Sequence, residues 1–263
     1  MIEVTPSVRL YNEEQFSRTG EVVALLPGAL YDSNQPPESS ILNNIKNNLS
    51  QRYSFIELSN ISAEGGEYIR DISPSLRAEI MGDALETLGS TVRNVEKITV
   101  VSHSVGSFTA TSLMKRAHGQ PELPAVSGAV FLSPPPLYTP EKTRSTVRGA
   151  IEMLLGSIST VEYLGTSHET HKSSSGRPML LDKDFWDDIE RLTPECSSIL
   201  SSSSIKIACL VGMKDRVFKP IDVLETFTGH HCTTLADTHS LKQPTSVNIA
   251  TEALEEIIGE VHV

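Results

Sequence analysis

Cysteine is scarce in this chain. Three occur in 263 residues, at positions 196, 209 and 232. An odd, sparse count fits a reducing compartment, and with it a cytoplasmic location. Cys209 and Cys232 sit inside apolar strand patterns and read as inert core residues. No Cys/His spacing suggests a metal site. Positive charge is also short: 22 Lys and Arg stand against 33 Asp and Glu, a net charge of −11. That balance, with no basic cluster to reverse it, argues against nucleic acid or an anionic membrane as partner. No apolar run approaches ~20 residues, so no span of a membrane is expected. The first residues lack a charged segment followed by an apolar one, so no signal peptide is expected either. There are no internal repeats. The length allows one large core, or one core carrying an insertion.

What is present is organised around Lys97-Ile-Thr-Val-Val-Ser-His-Ser-Val-Gly-Ser-Phe-Thr-Ala110. Ile98, Thr99, Val100 and Val101 form the β-branched run of a strand buried on both faces. Ser102-His103-Ser104-Val105-Gly106 follows: small, any, Ser, any, small. Phe108, Leu113 and Met114 then recur at helical spacing up to Gly119. The order is strand, sharp turn, helix, with Ser104 at the turn. Strand and helix pass close together there, so the neighbours must be small, and the strained backbone holds the hydroxyl clear. The helix N-terminus offers free N–H groups and partial positive charge to a developing oxyanion. This stretch resembles the nucleophile elbow of the α/β-hydrolase fold, with Ser102 where the usual first glycine stands. The alternative is an ordinary buried strand leading into a helix.

The rest of the chain alternates in kind. Apolar strand patterns fall at 21–26, 53–58, 126–132, 205–211 and 231–235. Residues 4–11 read as an edge strand, with a partner near 14–18. Helical patterns fall at 39–49, with Ser40 as N-cap, and after Ser73-Pro74, with Leu76, Ile80, Ala84, Leu85 and Leu88 as the buried stripe. A short helix is expected around Val223 and a closing one after Pro244. Such alternation specifies a mostly parallel sheet with helices on both faces. One interval breaks it. Residues 134–204 show no convincing strand: a helix at about 140–155, a polar stretch at 168–176 holding His168 and His171, a helix after Asp182, and a serine-rich loop at 197–204. The expected division is a core of residues 1–136 and 201–263 with a helical cap of 137–200. The resemblance implies such a cap, which would cover the site.

A serine nucleophile needs a base in hydrogen-bond reach, and the base needs an orienting acid. The resemblance places both on loops after later strands, in the order Ser, Asp, His. Asp215 fits the acid, in Gly212-Met-Lys-Asp215 directly after an apolar strand; His239 fits the base, 24 residues on and just before the closing helix. Asp237 is a distant second as acid. By the same analogy the oxyanion hole takes the N–H of Val105 and one from Pro27-Gly28-Ala29-Leu30, at Ala29 or Leu30. Tyr31 and His103 are candidate substrate contacts, with core or loop packing as the alternative for each. The resemblance thus implies a serine hydrolase acting on a small-molecule carboxylic ester or thioester, without a cofactor. Acyl transfer, C–C hydrolysis or acyl cyclisation by the same residues, and a non-catalytic binding role, stand beside it. The oligomeric state is not legible.

Overall fold

The computed structural model describes residues 2–5, 8–11, 20–29, 31, 40–58, 61–62, 68–91, 95–156, 158–163, 165–172 and 176–259. The chain opens with β1 (Ile2–Thr5) and β2 (Val8–Tyr11), paired antiparallel. The single edge strand expected over 4–11 is therefore two strands that pair with each other. The expected partner at 14–18 lies outside the described residues. Then come β3 (Glu21–Leu26), α1 (Ile41–Leu49), β4 (Ser54–Leu58), the short β5 (Ile61–Ser62) and β6 (Ile69–Asp71), and α2 (Pro74–Thr91). The elbow strand is β7 (Lys97–His103), followed by α3 (Gly106–Gly119) and β8 (Ala125–Leu132). The interval after it holds α4 (Pro140–Leu155), β9 (Ser159–Tyr163), β10 (Thr166–Lys172), β11 (Pro178–Leu181) and α5 (Phe185–Ser202). The chain closes with β12 (Lys206–Gly212), α6 (Pro220–Thr226), β13 (His231–Leu235) and α7 (Pro244–Gly259).

The main sheet has eight strands in the order β1-β2-β4-β3-β7-β8-β12-β13, parallel from β4 to β13. Residues alternate across a strand, so a strand covered on both faces is apolar at most positions. In β3, Val22, Ala24 and Leu26 join one core, and Val23 and Leu25 the other. The second core lies under α1 and α7, through Ile41, Ile45, Leu49, Ala250 and Leu254. The first lies under α2, α3 and α5, through Met81, Leu85, Phe108, Leu113, Ile189 and Cys196. Phe55, Phe108 and Phe131 are fully buried, and each is worth roughly 2–3 kcal/mol of apolar transfer.

The interval 137–200 departs from a helical cap. Its two helices stand where expected, but β9, β10 and β11 lie between them and, with β5 and β6, make a second, five-stranded sheet. His168 and His171 sit in β10, not in a loop. The serine-rich stretch is helical as far as Ser202, its hydroxyls bonded back into the helix, as from Ser202 Oγ to Ser198 O at 2.7 Å. Moreover, α5 packs on α3, with Thr111 Oγ1 and Cys196 Sγ 2.6 Å apart, so α5 belongs to the layer that covers the main sheet. On α4, Leu154 is exposed rather than on the buried face of Val147 and Ile151. On α2 the stripe is also rotated: Leu76 and Ile80 are half-buried, and Arg77, Ala78 and Met81 face inward. No helix among the described residues is long and apolar enough to cross a membrane.

Candidate active site

Ser104, Asp215 and His239 follow the C-terminal ends of three parallel strands, β7, β12 and β13, where loops of an open parallel sheet converge. Ser104 has a φ of 53°, a left-handed backbone that costs a non-glycine residue on the order of 1 kcal/mol. The turn is fixed by Ser104 N–H to Leu132 O (2.9 Å) and Ser107 N–H to Ser104 O (3.0 Å). The need for a small residue at 106 is physical. A Cβ on Gly106 would come within 2.2 Å of Leu26 O and 2.6 Å of Pro27 O. Among the described residues the other non-glycine positions with positive φ are Ser133, at the end of β8, and Leu241, two residues past His239. Strain is concentrated on one edge of the molecule.

The three side chains form one continuous chain of contacts. His239 Nε2 lies 3.0 Å from Ser104 Oγ, and His239 Nδ1 lies 2.8 Å from Asp215 Oδ2. All three are buried, at 9%, 5% and 8% exposure for Ser104, His239 and Asp215, so water weakens neither contact. The other oxygen of Asp215 accepts the N–H groups of Val217 (2.7 Å) and Phe218 (3.1 Å), which fixes the carboxylate plane. The Phe218 ring meets the imidazole of His239 edge-on, centroids 5.2 Å apart.

Asp237 does not orient His239. Its carboxylate takes the N–H of Thr238 and Gln243 and the hydroxyl of Ser246, and so ties the loop that carries His239 to the start of α7. Burial would push this carboxyl up, but those hydrogen bonds outweigh it and hold it below the usual value. His103, a candidate substrate contact, lies beside the His239 ring with centroids 5.2 Å apart, and its Nε2 donates to His239 O at 3.1 Å. Burial, reinforced by the neighbouring His239 ring, lowers it to about 4, so it is neutral at pH 7. Tyr31 is half-buried, and Leu30 lies outside the described residues. Val105 caps α3 directly after Ser104. Gly28 lies against the elbow: a Cβ there would touch Ser104 Cβ at 3.2 Å and His103 O at 3.3 Å. That brings the loop carrying Ala29 beside the serine.

Two residues at this end of the molecule escaped the sequence reading. Arg77 is buried behind Pro27 and Gly28. Asp188 of α5 accepts the Ser75 N–H at 2.6 Å and so caps α2 from 113 residues away. The available signal for Arg77 was a lone cation inside the apolar stripe of Ala78, Met81, Leu85 and Leu88. Cys232, read as inert, is half-buried, and its Sγ donates to Phe227 O at 3.5 Å.

No protein-family model matches the sequence, and no curated protein matches it. Solved structures match along nearly its whole length. The esterase domain of a Rhodothermus marinus protein is 13% identical, with a TM-score of 0.60 over 95% of this chain and 89% of that one. Est1E from Butyrivibrio proteoclasticus, in a structure with ferulic acid bound, is 12% identical, with a TM-score of 0.59 over 96% and 94%. Mouse α/β hydrolase domain-containing protein 10 is 13% identical, with a TM-score of 0.54 over 91% and 90%. At such identities the likeness is one of fold, and function must be argued from the site.

Proposed function

From the premise that this chain has the α/β-hydrolase fold, we propose that it is a serine hydrolase of carboxylic esters or thioesters. The observation that carries the reading is the continuous relay from Ser104 through His239 to Asp215, with contacts of 3.0 and 2.8 Å. Ser104 Oγ attacks the carbonyl carbon while His239 Nε2 takes its proton. The Asp215 carboxylate accepts the Nδ1–H, sets the tautomer and stabilises the imidazolium that forms. The N–H groups of Val105 and Ala29 receive the oxyanion. Collapse returns the proton from His239 to the leaving alcohol or thiol and leaves an ester on Ser104. Water, deprotonated by the same imidazole, then releases the acid. The substrate is a small acyl compound.

A fluorophosphonate probe tests this by intact-mass measurement. One adduct on wild type, absent from Ser104→Ala and His239→Ala, is the expected result. No adduct on folded wild type would overturn the reading. Turnover of a panel of esters and thioesters of increasing acyl length then fixes the preferred class.

A further inference from the structure

The loop between β3 and α1 would supply an oxyanion donor, and the group that holds it is unexpected. Arg77 stands in the first turn of α2 and is 6% exposed. Its Nη1 donates to Pro27 O at 3.2 Å and leans toward Gly28 O at 3.5 Å. Its Nε donates to Ile72 O at 3.1 Å, and its Nη2 pairs with the fully buried Asp71. Every face of the guanidinium is thus committed, and Asp71 offsets its charge. Burial lowers this guanidinium to about 10, which leaves it cationic at neutral pH.

Peptide geometry turns these contacts into a consequence for the site. In a trans peptide the C=O and the N–H point in opposite directions, and no cis bond occurs among the described residues. Drawing the Gly28 carbonyl toward Arg77 therefore turns the N–H of the same peptide, that of Ala29, away from Arg77. A cation at the carbonyl also polarises the amide and strengthens its N–H as a donor. We infer that Arg77 is a positioning residue: it aims and polarises the Ala29 N–H for the oxyanion without touching substrate. The inference rests on the serine-hydrolase reading. It also reaches the second sheet, because Asp71 lies in β6, which pairs with β11 at Leu181 and accepts the Asp182 N–H at 3.0 Å.

The test uses p-nitrophenyl butyrate and its thiono analogue, whose sulfur is a poor hydrogen-bond acceptor. Two variants are compared with wild type, each checked by thermal melt. Arg77→Lys keeps the charge and loses the fork. The double variant Asp71→Asn with Arg77→Met removes the pair together and leaves no uncompensated charge. In folded variants kcat on the ester falls about 10- to 100-fold, KM stays within about threefold, and the ester-to-thiono rate ratio falls with kcat. A packing role alone would not move that ratio. Unchanged kcat and ratio in either folded variant would overturn the inference. A wild-type measurement covers the case in which neither variant folds. The Ala29 amide proton should move downfield in the NMR spectrum when the fluorophosphonate occupies Ser104, and a shift at Val105 without one at Ala29 refutes the idea. Failure of wild type to form the Ser104 adduct would instead sink the serine-hydrolase reading itself.

Discussion

The loop that carries His239 and the loop that carries Ala29 converge on the same serine, and they are held in different ways. The His239 loop is tied from many directions. Asp237 gathers Thr238, Gln243 and Ser246, and Leu241 N–H bonds Thr238 O. Lys214 N–H bonds Asp237 O, and His103 bonds His239 O. The carbonyls of Pro27 and Gly28 instead converge on one side chain, Arg77. Redundant ties make a position tolerant of single losses, whereas a position that, among the described residues, is tied by one cation is exposed to that cation's replacement.

The largest effect should come from Asp215→Asn, which bypasses the redundancy by changing the partner of the imidazole itself. The amide cannot stabilise an imidazolium and favours the wrong tautomer, so kcat should fall by about 10⁴ with little change in melting temperature. Arg77→Lys comes next, at the 10- to 100-fold given above. Asp237→Asn should act on stability more than on rate. Losing charged hydrogen bonds at the start of α7 costs about 1–2 kcal/mol at pH 7, read as a lowered denaturant midpoint. Because the folded carboxyl titrates below its usual 3.8, that contribution is present above pH 3.8 and is lost as pH falls through the folded value. The gap between wild type and variant should therefore close in acid.

His103→Phe should be the mildest, with kcat down by less than about fivefold, since the other ties remain. Its clearest signature is in pH. Folding lowers His103 from 6.5 to about 4, so the unfolded chain binds the extra proton between those values. Wild-type stability then falls as pH drops from 6.5 toward 4, by at most about 1.4 kcal/mol per pH unit, and the variant lacks this component. A His103→Phe loss in kcat larger than that of Arg77→Lys would reverse the comparison of the two loops.

The main sheet, the elbow and the three relay residues were all legible in the sequence. Strands buried on both faces are mostly apolar, and residues at their C-terminal ends announce themselves as abrupt polar turns. The second sheet was not legible. Ser159–Tyr163 offers only Val161 and Tyr163 as apolar residues and Thr166–Lys172 is polar throughout, so neither shows the apolar run of a core strand. They are strands because of their neighbours in space, and β11 finds its partner β6 more than a hundred residues back. The serines of α5 favour loops locally, yet Cys196 and Leu200 packed on the core hold them helical. Arg77 was hidden for a related reason. A charge reads as solvated until its acceptors, some fifty residues upstream, are brought beside it.

The distant cap on α2 has a consequence in time. Ser104 and His239 are separated by 135 residues, and Asp188, which caps α2, emerges between them. At roughly 5–20 residues per second of synthesis, the serine leaves the ribosome on the order of ten seconds before its base. On the serine-hydrolase reading Ser104 is an ordinary hydroxyl until His239 follows, whereas the Asp188 anchor of α2 is synthesised before that. On the same reading, a nascent chain that stops short of His239 carries an unactivated serine.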